Sequence, residues 1–165
     1  MNKIPENKTR KRLRITLCVL YLFQLIFCAW PFYQFPQNGE LVSDSVYEMI
    51  NGMFVGDVGH LPQAMQILPF YLIYVLIPVI GFFFCAFDRE RNVKNIVSLF
   101  LALAGVVFIL MGVNAPYLSL GSTCALLCYL LISFLSSISI FARYTVSKEE
   151  IEKEKQSEEK NEKND

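Results

Sequence analysis

The feature that most constrains this chain is how far it runs without a charged side chain. Between Asn95 and Ala142 the sequence has no Asp, Glu, Lys, Arg or His. Between Ile15 and Asp88 the charged side chains are four carboxylates: Glu40, Asp44, Glu48 and Asp57. A water-soluble domain needs polar side chains over its surface, so these stretches favour lipid as their solvent. We therefore interpret the chain as an integral membrane protein.

Four apolar runs have the length that crosses a bilayer. A helix rises about 1.5 Å per residue, so about 20 residues span a hydrocarbon core of about 30 Å. The runs are continuously apolar, which favours helices over the alternating strands of a barrel. We expect an all-α fold in which residues 13–142 form a bundle of four transmembrane helices, flanked by tails at 1–12 and 143–165. The predicted spans are about 13–33, 67–87, 96–113 and 117–142.

The basic residues predict the orientation of the spans. All 15 Lys and Arg lie at the N-terminus up to Arg14, between the second and third runs, or after the fourth run. The loop 34–66 and the short loop 114–117 contain none. Basic residues mark cytoplasmic loops, so this distribution predicts both termini in the cytoplasm and the loop 34–66 outside.

The outer loop carries the signature of a helix start. Ser45 is followed three residues later by Glu48, the spacing of a capping box. Apolar residues then recur on one helical face, which predicts a short amphipathic helix and hence a part-helical loop. Two interpretations stay open: a lid that covers the ends of the spans, or a docking surface for another membrane protein.

The same loop holds the single histidine of the chain. The stretch GDVGHLP places His60 three residues after Asp57, so these two are the candidate acid and base of an active site. A metal site needs about three or four ligands, and the other carboxylates of the loop do not stand at a recognisable ligand spacing. We interpret the stretch as a flexible turn and predict no metal and no cofactor.

Apart from Arg14 at the start of the first, the predicted spans contain no formal charge, which disfavours proton relays and ion-coupled transport. Gln24 is the one amide near the middle of a span, and we expect it to hydrogen-bond to a neighbouring helix. Small residues three or four apart let helices approach closely, and they predict packing faces either toward a partner or, as the default, between the third and fourth spans. These helix-packing residues are Ser98, Ala102, Gly105, Gly121 and Ala125.

Two further segments have a predicted role. Trp30, Tyr71 and Tyr74 stand near the ends of spans, where aromatic rings anchor proteins at the headgroup level. From Ser147 onward the chain is almost wholly Lys, Glu and other polar residues, which predicts a disordered, charged cytoplasmic tail.

Three function classes remain. The first is a non-enzymatic accessory, assembly or interaction subunit, favoured by the packing pattern and the lack of catalytic motifs. The second is a small transporter or channel component, favoured by Pro78 and Gly81 in the second span and by the acidic outer loop. The third is a membrane enzyme that uses Asp57 and His60.

The expected partners are the lipid bilayer and either another membrane protein or a second copy of the chain, with no nucleic acid. The Lys-, Asn- and Ile-rich sequence favours a bacterial plasma membrane as the location.

Overall fold

The computed structural model describes residues 8–37, 39–56, 59, 61, 70–87, 93–113 and 115–162, and within them the chain is mostly helical. Helix α1 spans Lys8–Phe27, α2 Val46–Val55, α3 Phe70–Phe87, α4 Val93–Gly112 and α5 Leu120–Glu162. Strands β1 (Tyr33–Gln37) and β2 (Glu40–Asp44) lie between α1 and α2, and a 3-10 turn at Ala115–Tyr117 joins α4 to α5.

The four long helices contact one another in a closed ring. α1 contacts α3 and α5, α3 contacts α4, and α4 contacts α5, while the short α2 contacts α3. The largest side chains that are fully buried inside this ring include Tyr21 and Tyr129. The interior of the ring therefore contains polar hydroxyl groups among its apolar side chains.

Two of these helices are long and apolar enough to cross a membrane: α4 and the part of α5 from Leu120 to Phe141. Most residues of both stretches are not buried inside the protein, unlike those of a core helix in a soluble domain. Tyr71–Phe87 of α3 is apolar but shorter. The beginning of the predicted second span, residues 67–69, lies outside the described residues.

The all-α prediction is wrong for the first part of the outer loop, and the first predicted span is too long. α1 ends at Phe27 instead of continuing to residue 33, and the chain then forms an antiparallel hairpin. Tyr33 pairs with Asp44 at one end and Gln37 with Glu40 at the other. Pro31 favours an end to the helix, because proline has no N–H for the helical hydrogen-bond ladder.

The predicted amphipathic helix and its capping box are confirmed in α2. The backbone N–H of Ser45 donates to Glu48 Oε2 at 2.7 Å, and the N–H of Glu48 donates to Ser45 Oγ at 3.2 Å. Gly56 follows the helix with φ +83°, the left-handed conformation that glycine adopts readily, and its N–H donates to the carbonyl of Gly52.

The tail predicted to be disordered from Ser147 onward is helical instead, because α5 continues without a break to Glu162. Lys and Glu dominate this segment, and both have high helix propensity. Local propensity thus extends the helix beyond its apolar part.

Candidate functional site

The predicted intramembrane polar residue, Gln24, joins α1 to α5. Its side chain is buried, and Nε2 donates a hydrogen bond to the carbonyl oxygen of Ala125 at 2.9 Å. Ala125 is one of the predicted helix-packing residues, so the structure brings these two positions together. The bond gives a buried amide a partner on a neighbouring helix.

Ser98 on α4 meets two other helices of the ring. Its carbonyl oxygen accepts a long hydrogen bond from the hydroxyl of Tyr21 on α1 at 3.5 Å. Its Oγ lies 3.3 Å from the Sγ of Cys85 on α3. The ring of Tyr21 covers Gly81 of α3, where it fills the space of a β-carbon. Ser98, predicted only as a small residue for close packing, therefore also contributes polar contacts.

Gly105 and Ala102 are buried on the side of α4 that faces the interior. A β-carbon on Gly105 would stand 2.6 Å from Cζ of Tyr129, well inside van der Waals contact. The absence of a side chain at Gly105 is what lets the tyrosine ring of α5 lie against the α4 backbone.

Gly121, in the first turn of α5, packs against backbone. Its N–H donates to the carbonyl oxygen of Pro31 at 2.7 Å. A β-carbon at this position would stand 2.7 Å from the carbonyl oxygens of Phe27 and Pro31. Since carbonyl groups of the main chain cannot rotate away as a side chain can, the position requires glycine more strictly than Gly105 does.

Three polar contacts connect the chain after α1 to the start of α5, and we call them the outer staple. They are the Gly121–Pro31 hydrogen bond, the bond from Gln34 Nε2 to Ser119 Oγ at 3.1 Å, and the isolated β-bridge between Tyr33 and Leu118. The outer staple fixes the hairpin of β1 and β2 to the α4–α5 turn.

Tyr71 and Tyr74, predicted as anchors at the headgroup level, are buried within the protein, so that prediction is wrong. Tyr74 Oη donates to the carbonyl oxygen of Phe108 at 3.0 Å, and its ring packs on Phe32 with 5.1 Å between centroids. Trp30 is exposed. The position of a residue along a helix does not show whether its ring faces outward. That depends on which other helices pack beside it, and here they cover Tyr71 and Tyr74.

At the opposite end of the ring lies a polar cluster that the sequence did not predict. Arg14 Nη1 donates to the carbonyl oxygen of Ala86 at the end of α3 at 3.3 Å. Asn95 Nδ2 donates to Ser139 Oγ at 2.7 Å, and Lys94 is only 5% exposed. A cation beside the C-terminal carbonyls of a helix is favourable. Lys94 had the signature of a loop charge, and it is buried because α4 begins earlier than the apolar run does.

Asp57 and His60, the candidate catalytic pair, lie outside the described residues. In the part of the chain that is described, no group of three or more His, Cys, Asp or Glu could hold a metal ion. All five cysteines are free.

Of the described carboxylates before α3, Glu48 has a clear electrostatic environment. The backbone N–H of Ser45 donates to it at 2.7 Å, and this bond, with a smaller contribution from the Ser45 side chain, holds the pKa of the Glu48 carboxyl below its usual range. This arrangement caps a helix, and within the described residues it is part of the local structure of α2.

No protein-family model, curated protein or solved structure matches this chain. The functional assignment therefore depends on the contacts and surfaces of the chain itself.

Proposed function

We propose that this chain is a four-span integral membrane protein of the plasma membrane, with both termini in the cytoplasm, that acts without catalysis as an accessory, assembly or interaction subunit. The observation that carries the proposal is the large apolar surface that the long helices expose. Large apolar side chains cover the outside of the ring, although its interior already holds a hydrophobic core together with several buried polar groups.

The outer surface supports a lipid environment for all four long helices. Each exposes large apolar side chains to a degree that would make a soluble protein aggregate. Examples on successive helices are Phe23 and Ile26 of α1, Phe83 and Phe87 of α3, Phe100 and Leu110 of α4, and Leu127 and Phe134 of α5.

The charge distribution supports the orientation. α1 begins in a basic segment, and the other basic residues lie between Arg89 and Lys94 or after Phe141. The hairpin and α2 carry only acidic charges, so the positive-inside rule places them outside. The Lys-, Asn- and Ile-rich composition supports a bacterial plasma membrane.

The interior supports an interaction role better than a transport role. The buried polar groups Gln24, Tyr74 and Asn95 each donate to a partner on another helix. Groups used in this way hold the helices together and leave the outer surface as the part of the molecule that can bind other proteins.

The test is the composition of the native complex. The tagged protein, extracted in mild detergent, should copurify with one other membrane protein in a fixed ratio, and an untagged strain serves as the control. Removing the chain from the cell should then lower the assembled amount of that partner. A monodisperse protein without a second component, together with no loss of any membrane complex on its removal, would contradict the proposal.

The orientation has a separate test. With the native cysteines replaced, Glu40→Cys on the exposed surface of β2 should react with an impermeant thiol reagent in intact cells, and Lys11→Cys should react only after lysis. The reverse pattern would contradict the proposed topology.

A small transporter or channel component is the second candidate. It is favoured by the inner end of the ring, where Lys94, Asn95 and Ser136 are buried polar residues close to the predicted cytoplasmic side. Flux of ions or small solutes through proteoliposomes that contain the purified protein alone would support this candidate over the first.

A further inference from the structure

α2 lies across the outer ends of two long helices. The N–H of Val46, its first residue, donates to the carbonyl oxygen of Cys28 just beyond α1 at 3.0 Å. The helix contacts α3, and Val46 and Met49 are buried against the rest of the protein. One side of α2 is therefore covered by protein.

A second side of α2 is apolar, exposed and oriented toward α1. Tyr47 is 44% exposed, and its hydroxyl donates to the carbonyl oxygen of Leu25 at 3.2 Å. Leu25 lies two residues before the end of α1, so the phenol extends back along α1 toward the membrane interior.

Phe54 stands on the same side of the helix. At about 100° per residue, a position seven residues after Tyr47 returns to within about 20° of it. Phe54 is 77% exposed, so nothing in the described structure covers its ring. Glu48 lies about 100° round the helix from Tyr47 and is turned away from this side.

We propose that α2 is an interfacial helix whose Tyr47–Phe54 side enters the outer leaflet, at the boundary between headgroups and acyl chains. The proposal rests on the proposed function, because it takes the outer surface of α1 as lipid-facing. A ring with an apolar body and a polar tip suits this depth, and Tyr47 supplies one. The segment 34–66 has no Lys or Arg, so a neutral, zwitterionic headgroup fits it better than an anionic one.

The test uses tryptophan fluorescence in phosphatidylcholine vesicles. The single tryptophan is first removed by Trp30→Phe, and Phe54→Trp is then introduced into that variant. The matched control is Val55→Trp, because Val55 is 73% exposed but faces away from Val46. Phe100→Trp on α4, at a position 68% exposed, reports the spans themselves. Emission is measured with iodide in the water and with lipids brominated near the top of the acyl chain.

The expected result for Phe54→Trp is a blue-shifted emission that bromolipid quenches and iodide does not. Val55→Trp should lose its emission to iodide. Equal quenching of both variants by iodide would overturn the proposal, and so would equal quenching of both by bromolipid. Protection of Phe54→Trp from both quenchers would also overturn it, because protein would then cover this side.

Failure of the proposed function would give a different result. If bromolipid leaves Phe100→Trp unquenched, the long helices do not face lipid and the four-span assignment itself is contradicted. If Phe100→Trp is quenched and Phe54→Trp is not, only the interfacial position of α2 is wrong.

Discussion

Tyr129 of α5 lies across Gly105 of α4, with three ring atoms at 2.6 to 2.9 Å from the place where a β-carbon would stand. Tyr21 of α1 covers Gly81 of α3 in the same way. Two pairs of neighbouring helices thus share the same kind of contact, in which a tyrosine ring packs on the backbone of a glycine. The contact depends on steric fit, so the addition of a single methyl group at the glycine tests how much it contributes to stability.

Gly105→Ala should destabilise the protein. The added methyl group overlaps the Tyr129 ring, and overpacking of this kind costs about 1–3 kcal/mol. Alanine also has a higher helix propensity than glycine, which offsets up to about 1 kcal/mol of this cost. We therefore expect a net decrease in the free energy of unfolding. Unfolding by sodium dodecyl sulfate in mixed micelles, followed by circular dichroism, measures the change.

Gly59→Ala is the control for that substitution, since a β-carbon at Gly59 meets no atom of the described residues within 4 Å. It should change the free energy of unfolding by less than about 0.5 kcal/mol. Combining Gly105→Ala with Tyr129→Leu should cost less than the sum of the two single changes, because the smaller side chain makes room. Strict additivity would show that the two residues do not interact as described.

Gln24→Leu should lower stability modestly. The substitution removes the bond to the carbonyl of Ala125, and hydrogen bonds between helices in membranes contribute about 0.6 kcal/mol on average and about 1.7 kcal/mol at most. Thr16→Val is the matched change on the same helix, because the Thr16 hydroxyl donates to the carbonyl of Arg12 within α1 and, among the described residues, to no other helix. If both variants unfold at the same detergent fraction, the Gln24 bond does not hold the helices together.

Ser136→Ala should leave stability unchanged or raise it. The Ser136 hydroxyl is fully buried and has no hydrogen-bond partner among the described residues. Its removal therefore eliminates the energetic cost of burying an unsatisfied polar group. Ser122 on the same helix is equally buried, but its hydroxyl accepts from the N–H of Ser119 at 2.9 Å and donates to the Ser119 carbonyl at 3.0 Å. Ser122→Ala should therefore cost about 1 kcal/mol. Equal effects of the two substitutions in the unfolding assay would refute this distinction.

The stability of α2 should depend on acid through Glu48. The hydrogen bonds from Ser45 lower the pKa of this carboxyl in the folded protein, so the carboxylate stabilises the folded helix. That contribution is complete above the unfolded value of about 4.3 and disappears as the pH falls through the folded pKa. A carbon-13 NMR titration of the Glu48 carboxyl should give a midpoint below that reference value. Ser45→Ala should move the midpoint upward, and an unchanged midpoint would show that the hydroxyl has no part in the shift.

The sequence predicts those parts of the fold that local properties determine. A long uncharged run gives α4, whose apolar part was expected from residue 96 and which the structure begins at Val93. The Ser45–Glu48 spacing gives the start of α2, because a capping box is satisfied by neighbouring residues alone.

The hairpin needed a different kind of signal. Asn38-Gly39 is a strong turn dipeptide, and Gly39 has φ +87°, so this pair could have indicated the turn between β1 and β2. The strands around it alternate poorly, and β1 includes Pro36, which hides the pattern. Part of what fixes the hairpin lies far away, in the bridge from Tyr33 to Leu118.

The tyrosine–glycine contacts could not be predicted from the sequence either, because they also join residues that are distant in the chain. Gly105 and Ser98 carry the signature of a packing face, but nothing near them in sequence identifies Tyr129 and Tyr21 as the rings that meet that face. Such contacts depend on which helices are neighbours, and helix order in the ring follows from the whole chain.

The outer staple gives the protein an order of assembly. Gln34 is 85 residues away from its partner Ser119, so the ribosome must add three further helices before the bond can form. Until then the carbonyl of Pro31 and the amide of Gln34 depend on water for partners. The segment that follows α1 is thus completed by residues around the start of α5, and a chain interrupted before Leu118 would leave all three contacts unmade.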